Sequence, residues 1–190
     1  MAAKPYESGG RLSVRRIVLT GGECTGKTTL ARTLAVRHDT TWSSEAAREA
    51  ALAKAGPLGP EDVGPIARAH VAAADAALRE ATQRARPVLF LDQDLLSTVV
   101  YARHYYGSCP PWIERLAAER QGDLYLLCHP DLPWATDGVR DRPQAREEIH
   151  ALFAAALADS GARVVDVTGQ GAGREARAEA AVAELLAPRA

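Results

Sequence analysis

The sequence predicts an α/β three-layer sandwich, a five-stranded parallel sheet with helices on both faces. Apolar runs of strand length alternate with helix-period segments, and a glycine-rich phosphate-loop motif joins the first run to the first helix. The first run, Arg16–Thr20, is aliphatic and β-branched without polar interruption, as a strand buried on both faces requires. Lys27–Arg37 reads as a helix with Leu30, Ala31 and Leu34 on one face. A short second strand is expected at Thr40-Thr41-Trp42, followed by a helix over Ser44–Lys54. The segment Gly56-Pro57-Leu58-Gly59-Pro60 breaks the chain, and a long helix over Asp62–Arg84 follows. Pro87–Asp92 is the third strand. Helices over Leu95–Tyr106 and Trp112–Arg120 come next, with Pro111 suited to a first helical turn. Asp123–Cys128 and Arg163–Val167 supply strands four and five, and the alanine-rich stretch Ala151–Ala158 between them favours helix. A last helix over Arg174–Leu186 is expected to bury Ala178, Val182 and Leu185.

Gly21-Gly22-Glu23-Cys24-Thr25-Gly26-Lys27-Thr28 fits G-x-x-x-x-G-K-[ST] in full and lies between the first strand and first helix. In that context glycines let backbone N–H groups converge on a polyphosphate at a helix N-terminus, where the helix dipole favours anions. Gly21 through Thr29 form the expected nucleotide-binding set. Lys27 is expected to reach the β- and γ-phosphates and Thr28 to ligate magnesium, so ATP and Mg2+ are the implied cofactors. This makes the fold P-loop kinase-like.

The 190 residues are simplest as one such domain over 15–190, preceded by a flexible tail, 1–14, and carrying a lid around 131–149. A net charge of −1 gives no bulk attraction to nucleic acid or to a membrane surface. Three cysteines without a C-x-x-C pair argue for reduced thiols in a cytoplasmic protein rather than a disulfide framework. No apolar stretch is long enough for a membrane span or a signal peptide, and oligomeric state is left open.

The motif does not by itself name the reaction. The chain has no asparagine, and so no Asn-Lys-x-Asp guanine reader. Asp92 is followed by Gln93 rather than by the glutamate that activates water in motor ATPases. A phosphotransferase needs a base near an acceptor hydroxyl and an arginine-bearing lid. Asp92, ending a buried strand, fits magnesium coordination or proton acceptance. Asp94 fits either the cap of the next helix or a substrate contact. Glu45 fits a base, an acceptor-hydroxyl ligand or a first-turn glutamate stabilised by the dipole. Arg140, Arg142 and Arg146 lie in the irregular segment Pro133–Arg142 and beyond it. They fit a clamp on the transferring phosphoryl or a charge run paired with Asp137, Asp141, Glu147 and Glu148. Thr168–Gly173, after strand five, is placed to meet adenine.

These residues resemble the ribosylnicotinamide kinase domain of the NadR type, over about 17–186. The resemblance rests on Gly21-Gly22-Glu23, Glu45-x-x-Arg48-Glu49, His70, Phe90-Leu91-Asp92-x-Asp94 and, most specifically, Pro133-Trp134-x-x-Asp137-Gly138-x-Arg140. It implies transfer of the γ-phosphate of ATP to the 5′-hydroxyl of nicotinamide riboside. Lys27, Asp92, Glu45, Arg140 and Arg142 would then be catalytic, and Glu45, Arg48, Asp92, Asp94, Trp134 and Asp137 would contact the nucleoside-like acceptor. Thr28 and Asp92 would hold the metal. Larger members carry an adenylyltransferase domain ahead of the kinase, so the short tail predicts that this second activity is absent. The family stacks the pyridine ring between aromatic side chains, and Ser44 and Ala73 stand at those places here. Trp42, Trp134, Tyr101 and Tyr105 are the other rings available. Another nucleoside or small alcohol is therefore an alternative acceptor, and an ATP-binding regulatory module is an alternative role.

Overall fold

The computed structural model describes residues 13–44, 46–54, 57–135 and 143–188. Strands β1 (Arg15–Thr20), β2 (Trp42–Ser43), β3 (Val88–Asp92), β4 (Leu124–Cys128) and β5 (Val164–Val167) form one parallel sheet in the order β2-β3-β1-β4-β5. The helices are α1 (Lys27–Arg37), α2 (Ala46–Lys54), α3 (Val63–Gln83), α4 (Leu95–Tyr106), α5 (Pro111–Glu119), α6 (Arg146–Ser160) and α7 (Gly171–Leu186).

β1, β3 and β4 lie inside the sheet, so hydrophobicity runs on along each and alternation only decides which layer a residue meets; β5, at the edge, carries the exposed Asp166. Ile17, Leu19, Phe90, Leu124 and Leu126 pack against Leu30 and Leu34 of α1 and Ala178 and Val182 of α7. Val18, Leu89, Leu91, Tyr125 and Leu127 point the other way, onto Val100 of α4 and Ile149, Phe153 and Leu157 of α6. A third cluster, with Val63, Ala67, Val99 and Ile113, joins α3, α4 and α5 away from the sheet. Phe90 and Phe153 are fully buried, and truncating either to alanine should cost about 3–5 kcal/mol.

The predicted architecture is the observed one, with four local differences. The second strand is Trp42–Ser43, not Thr40–Trp42, because the Thr40 hydroxyl donates to the Val88 carbonyl (2.6 Å) and holds that residue in the approach to the sheet. The last helix starts at Gly171, three residues earlier than predicted. Its sequence Gly-Ala-Gly has poor helix propensity, and tertiary contacts through Arg174 override it. Leu185 in that helix is only partly buried, whereas Ala178 and Val182 are fully so. The last four residues of the expected lid, Arg146–Ile149, are the first turn of α6, following a single 3-10 turn at Pro143–Ala145.

β1 lies between β3 and β4, with the chain crossing to opposite sides of it. Such a switch point opens a crevice at the carboxyl ends of the strands, where ligands bind in open α/β sheets.

Candidate active site

The turn from β1 into α1 occupies that crevice. Its path needs backbone that only some residues adopt: φ is +125° at Gly21, +54° at Cys24 and +76° at Gly26. At Gly21 sterics also forbid a side chain, since a Cβ would lie 2.6 Å from the Cys128 carbonyl oxygen; one on Gly26 would press on the end of the Leu132 side chain at 2.8 Å, which can shift. Inside the loop the Thr25 hydroxyl donates to the Gly22 carbonyl at 2.9 Å, and Lys27 Nζ donates to the same carbonyl at 2.7 Å.

Helix α1 begins at Gly26 with no side-chain cap and no acidic residue in its first turn, which leaves its leading N–H groups for an external partner. Lys27 is 6 % exposed, and no carboxylate among the described residues pairs with it. A buried ammonium without a counter-charge is costly, and an arriving phosphate offsets that cost.

The turn after β3 closes the crevice on one side. Asp92 is fully buried, and its Oδ2 accepts from the Thr28 hydroxyl at 2.5 Å, so the two residues expected to hold a metal are in contact. Gln93 follows with φ of +72°, and its N–H donates to the Leu19 carbonyl at 3.0 Å, fixing the turn against β1. Asp94 caps α4 through the Leu96 N–H (3.0 Å), and its other oxygen accepts from the Tyr125 hydroxyl at 2.6 Å. Burial pushes the Asp94 carboxyl up, against the Tyr125 hydroxyl and the Leu96 and Ser97 N–H groups that pull it down. Behind it lies a small cavity, ≈ 20 Å³, which His70, Leu91 and Arg120 also line.

On the other side, Arg146 reaches from α6 to the Cys24 carbonyl (3.2 Å), with its guanidinium 5.9 Å from the Trp134 ring. The Cys24 thiol meets the Ala135 backbone at 3.2 Å. Trp134 and Ala135 thus lie beside the phosphate loop. Glu45, Asp137, Arg140 and Arg142, and the side chain of Arg48, lie outside the described residues. The aromatic rings considered for stacking carry intramolecular neighbours. Arg32 lies 4.8 Å over Trp42, and Tyr101 packs edge-on to Phe153 and stacks with Tyr105.

Two contributors escaped sequence reasoning. Tyr125 is a core residue by pattern, yet its hydroxyl serves Asp94. Arg174 is buried and bonds to Thr25 in the loop. Its one visible signal was a positive charge in the first turn of a helix, where the dipole disfavours it.

An uncapped helix end beside a buried lysine that no carboxylate among the described residues pairs with is suited to receiving phosphate, and the chain is a phosphate-loop nucleotide-binding protein of kinase-like fold. Comparison with known proteins takes this further. The chain belongs to the AAA domain family, whose model matches residues 16–174. It is 30% identical over 160 residues to the trifunctional NAD biosynthesis/regulator protein NadR of Escherichia coli K12, covering 81% of this chain and 38% of that protein. The protein of the same name from Salmonella typhimurium is 32% identical over 131 residues, covering 67% of this chain and 31% of the relative. The chain therefore spans well under half the length of these curated relatives. Among solved structures, a NadR protein in complex with NR superposes with a TM-score of 0.75 at 27% identity, over 92% of this chain and 50% of that one. A NadR protein in complex with NAD and AMP-PNP gives 0.73 at 26% identity, over 90% and 49%. Thymidylate kinase from Ehrlichia chaffeensis gives 0.63 at 13% identity, over 91% and 99%, which is a likeness of fold alone. The resemblance to the NadR-type kinase domain is borne out.

Proposed function

We propose that this chain is an ATP-dependent phosphotransferase that phosphorylates the 5′-hydroxyl of nicotinamide riboside. The observation that carries the reading is the buried Lys27 ammonium, without a carboxylate partner among the described residues, at the mouth of a strained loop that opens an uncapped helix. The likeness to NadR structures holding NR and AMP-PNP supports the two substrates. In this reading the backbone N–H groups from Gly22 to Thr29 bind and orient the triphosphate, and Lys27 neutralises its terminal oxygens. The Thr28 hydroxyl and the Asp92 carboxylate are hard oxygen donors in contact with each other, a donor pair that fits magnesium. Bound there, the ion would offset charge on the phosphate oxygens. Glu45 or Asp92 takes the acceptor proton, and Arg140 and Arg142 cover the transferring group. Glu45, Arg48, Asp94, Trp134 and Asp137 are the acceptor-side residues in the same reading. Three free cysteines fit a cytoplasmic setting, and no helix among the described residues is long and apolar enough to cross a membrane.

A second reading keeps the chemistry and changes the acceptor to another nucleoside or small alcohol. Ser44 favours it, since its hydroxyl is bonded to Glu49 where the family pattern has a ring, and so do the intramolecular partners of Trp42 and Tyr101. Losing an aromatic face beneath a cationic pyridine removes about 1–2 kcal/mol of binding. A coupled assay of ADP release across a nucleoside panel decides between the two. Release stimulated most by nicotinamide riboside supports the first. Stimulation by other acceptors and never by nicotinamide riboside replaces it with the second.

A further inference from the structure

Arg174 stands in the first turn of α7 and is 5 % exposed. A cation there opposes the helix dipole and loses its hydration, so something must hold it. Its guanidinium reaches four acceptors from three separate segments. Nη2 donates to the Thr25 carbonyl in the phosphate loop (2.6 Å) and to the His129 carbonyl just after β4 (3.3 Å). Nη1 donates to the Asp131 carboxylate (2.7 Å) and to the Gly169 carbonyl after β5 (2.9 Å). Asp131 in turn accepts from the Gly169 N–H at 2.6 Å. Its burial works to raise the carboxyl, and that N–H with the guanidinium more than reverses this, holding it below the ordinary value. The guanidinium lies directly behind Gly26, where an added Cβ would come within 3.9 Å of Nε.

This arrangement bears on the loop's donors. An N–H can point into the crevice only if the neighbouring carbonyls point away from it, and a carbonyl turned inward would repel phosphate. Thr25 precedes the left-handed Gly26, the residue that leads into α1. A guanidinium fork behind that peptide fixes the orientation of its carbonyl. A loop already held in its binding conformation loses less entropy when a ligand arrives.

We propose that Arg174 is a positioning residue for the triphosphate, fixing the Thr25 carbonyl behind the phosphate loop and fastening that loop to the segments after β4 and β5. The inference rests on the reading that this loop takes ATP. One side chain thus links the phosphate loop to the segments after β4 and β5.

The test is calorimetric titration of the full chain with magnesium and AMP-PNP, alongside thermal melting, for wild type, Arg174→Lys, Arg174→Met and Asp131→Asn. Arg174→Met should raise the Kd by about tenfold or more, as loss of charge-assisted bonds implies. Arg174→Lys should recover most of the melting temperature and little of the affinity, because an ammonium cannot span the fork. Asp131→Asn should weaken binding by about threefold, through a looser guanidinium. Any folded Arg174 variant that binds AMP-PNP within twofold of wild type overturns the inference. If neither Arg174 variant folds, unchanged affinity in Asp131→Asn overturns it. Wild type that fails to bind AMP-PNP removes both this inference and the function above. Wild type that binds AMP-PNP but transfers no phosphate removes only the function.

Discussion

The turn after β1 and the turn after β3 lie side by side at one edge of the sheet and are built on opposite plans. The first takes its shape from backbone: positive φ at Gly21, Cys24 and Gly26, a Gly21 that admits no Cβ, and the Thr25 carbonyl secured from behind by Arg174. The second takes its shape largely from side chains, with Asp94 capping α4 and accepting from Tyr125. A surface that must grip an anion has to keep its N–H groups unspent, so its conformation is imposed by sterics and by contacts on the reverse side. A surface that anchors a helix can satisfy its polar groups internally. Asp92 sits where the plans meet, ending β3 but reaching across to Thr28.

If that contrast is right, the two turns should fail differently. Lys27→Ala should lower phosphoryl transfer by about 10³-fold or more, as loss of a charge that stabilises the transition state implies. Its melting temperature should hold or rise, since the buried charge removed has no carboxylate partner among the described residues. ADP release and thermal melting read the two quantities, and wild-type turnover would take Lys27 out of the site. Gly21→Ala attacks the first turn's shape. With φ of +125° and the Cys128 carbonyl oxygen 2.6 Å from the new Cβ, it should cost about 3 kcal/mol in urea unfolding and abolish AMP-PNP binding.

Breaking the second turn should cost stability first. Asp94→Ala removes the α4 cap and leaves the Tyr125 hydroxyl without its acceptor, a loss of about 2 kcal/mol with the KM for ATP unchanged. A rise in the acceptor KM of the folded variant would give Asp94 a substrate contact as well. Asp94→Asn sharpens the point through pH. Because the folded carboxyl is raised above its ordinary value of 3.8, its neutral form stabilises the fold fully below that pH. That contribution is lost as pH rises through the folded value. Melting curves should therefore show wild type gaining most over Asp94→Asn at low pH, with the advantage shrinking as pH rises.

The inner strands β1, β3 and β4 were legible because burial on both faces leaves a run of aliphatic residues, and Arg16–Thr20 differs from the observed β1 by one residue. The phosphate loop was legible because its chemistry demands fixed residue types at fixed spacing. What hid was long-range polar contact. The bond from Arg174 to Thr25 joins residues 149 apart, and no local pattern announces a backbone carbonyl as partner. The Tyr125–Asp94 bond hid because a tyrosine in a buried strand reads as packing alone. The start of α7 was misplaced because propensity penalises Gly171 and Gly173, while the contacts that hold the turn come from Arg174.

Phosphorus NMR of the full chain with ATP, magnesium and nicotinamide riboside tests the central claim most directly. The account predicts that ADP and a new phosphomonoester resonance grow together, and only when the acceptor is present. ATP left intact, or converted to ADP and inorganic phosphate at the same rate with and without a nucleoside acceptor, would contradict it.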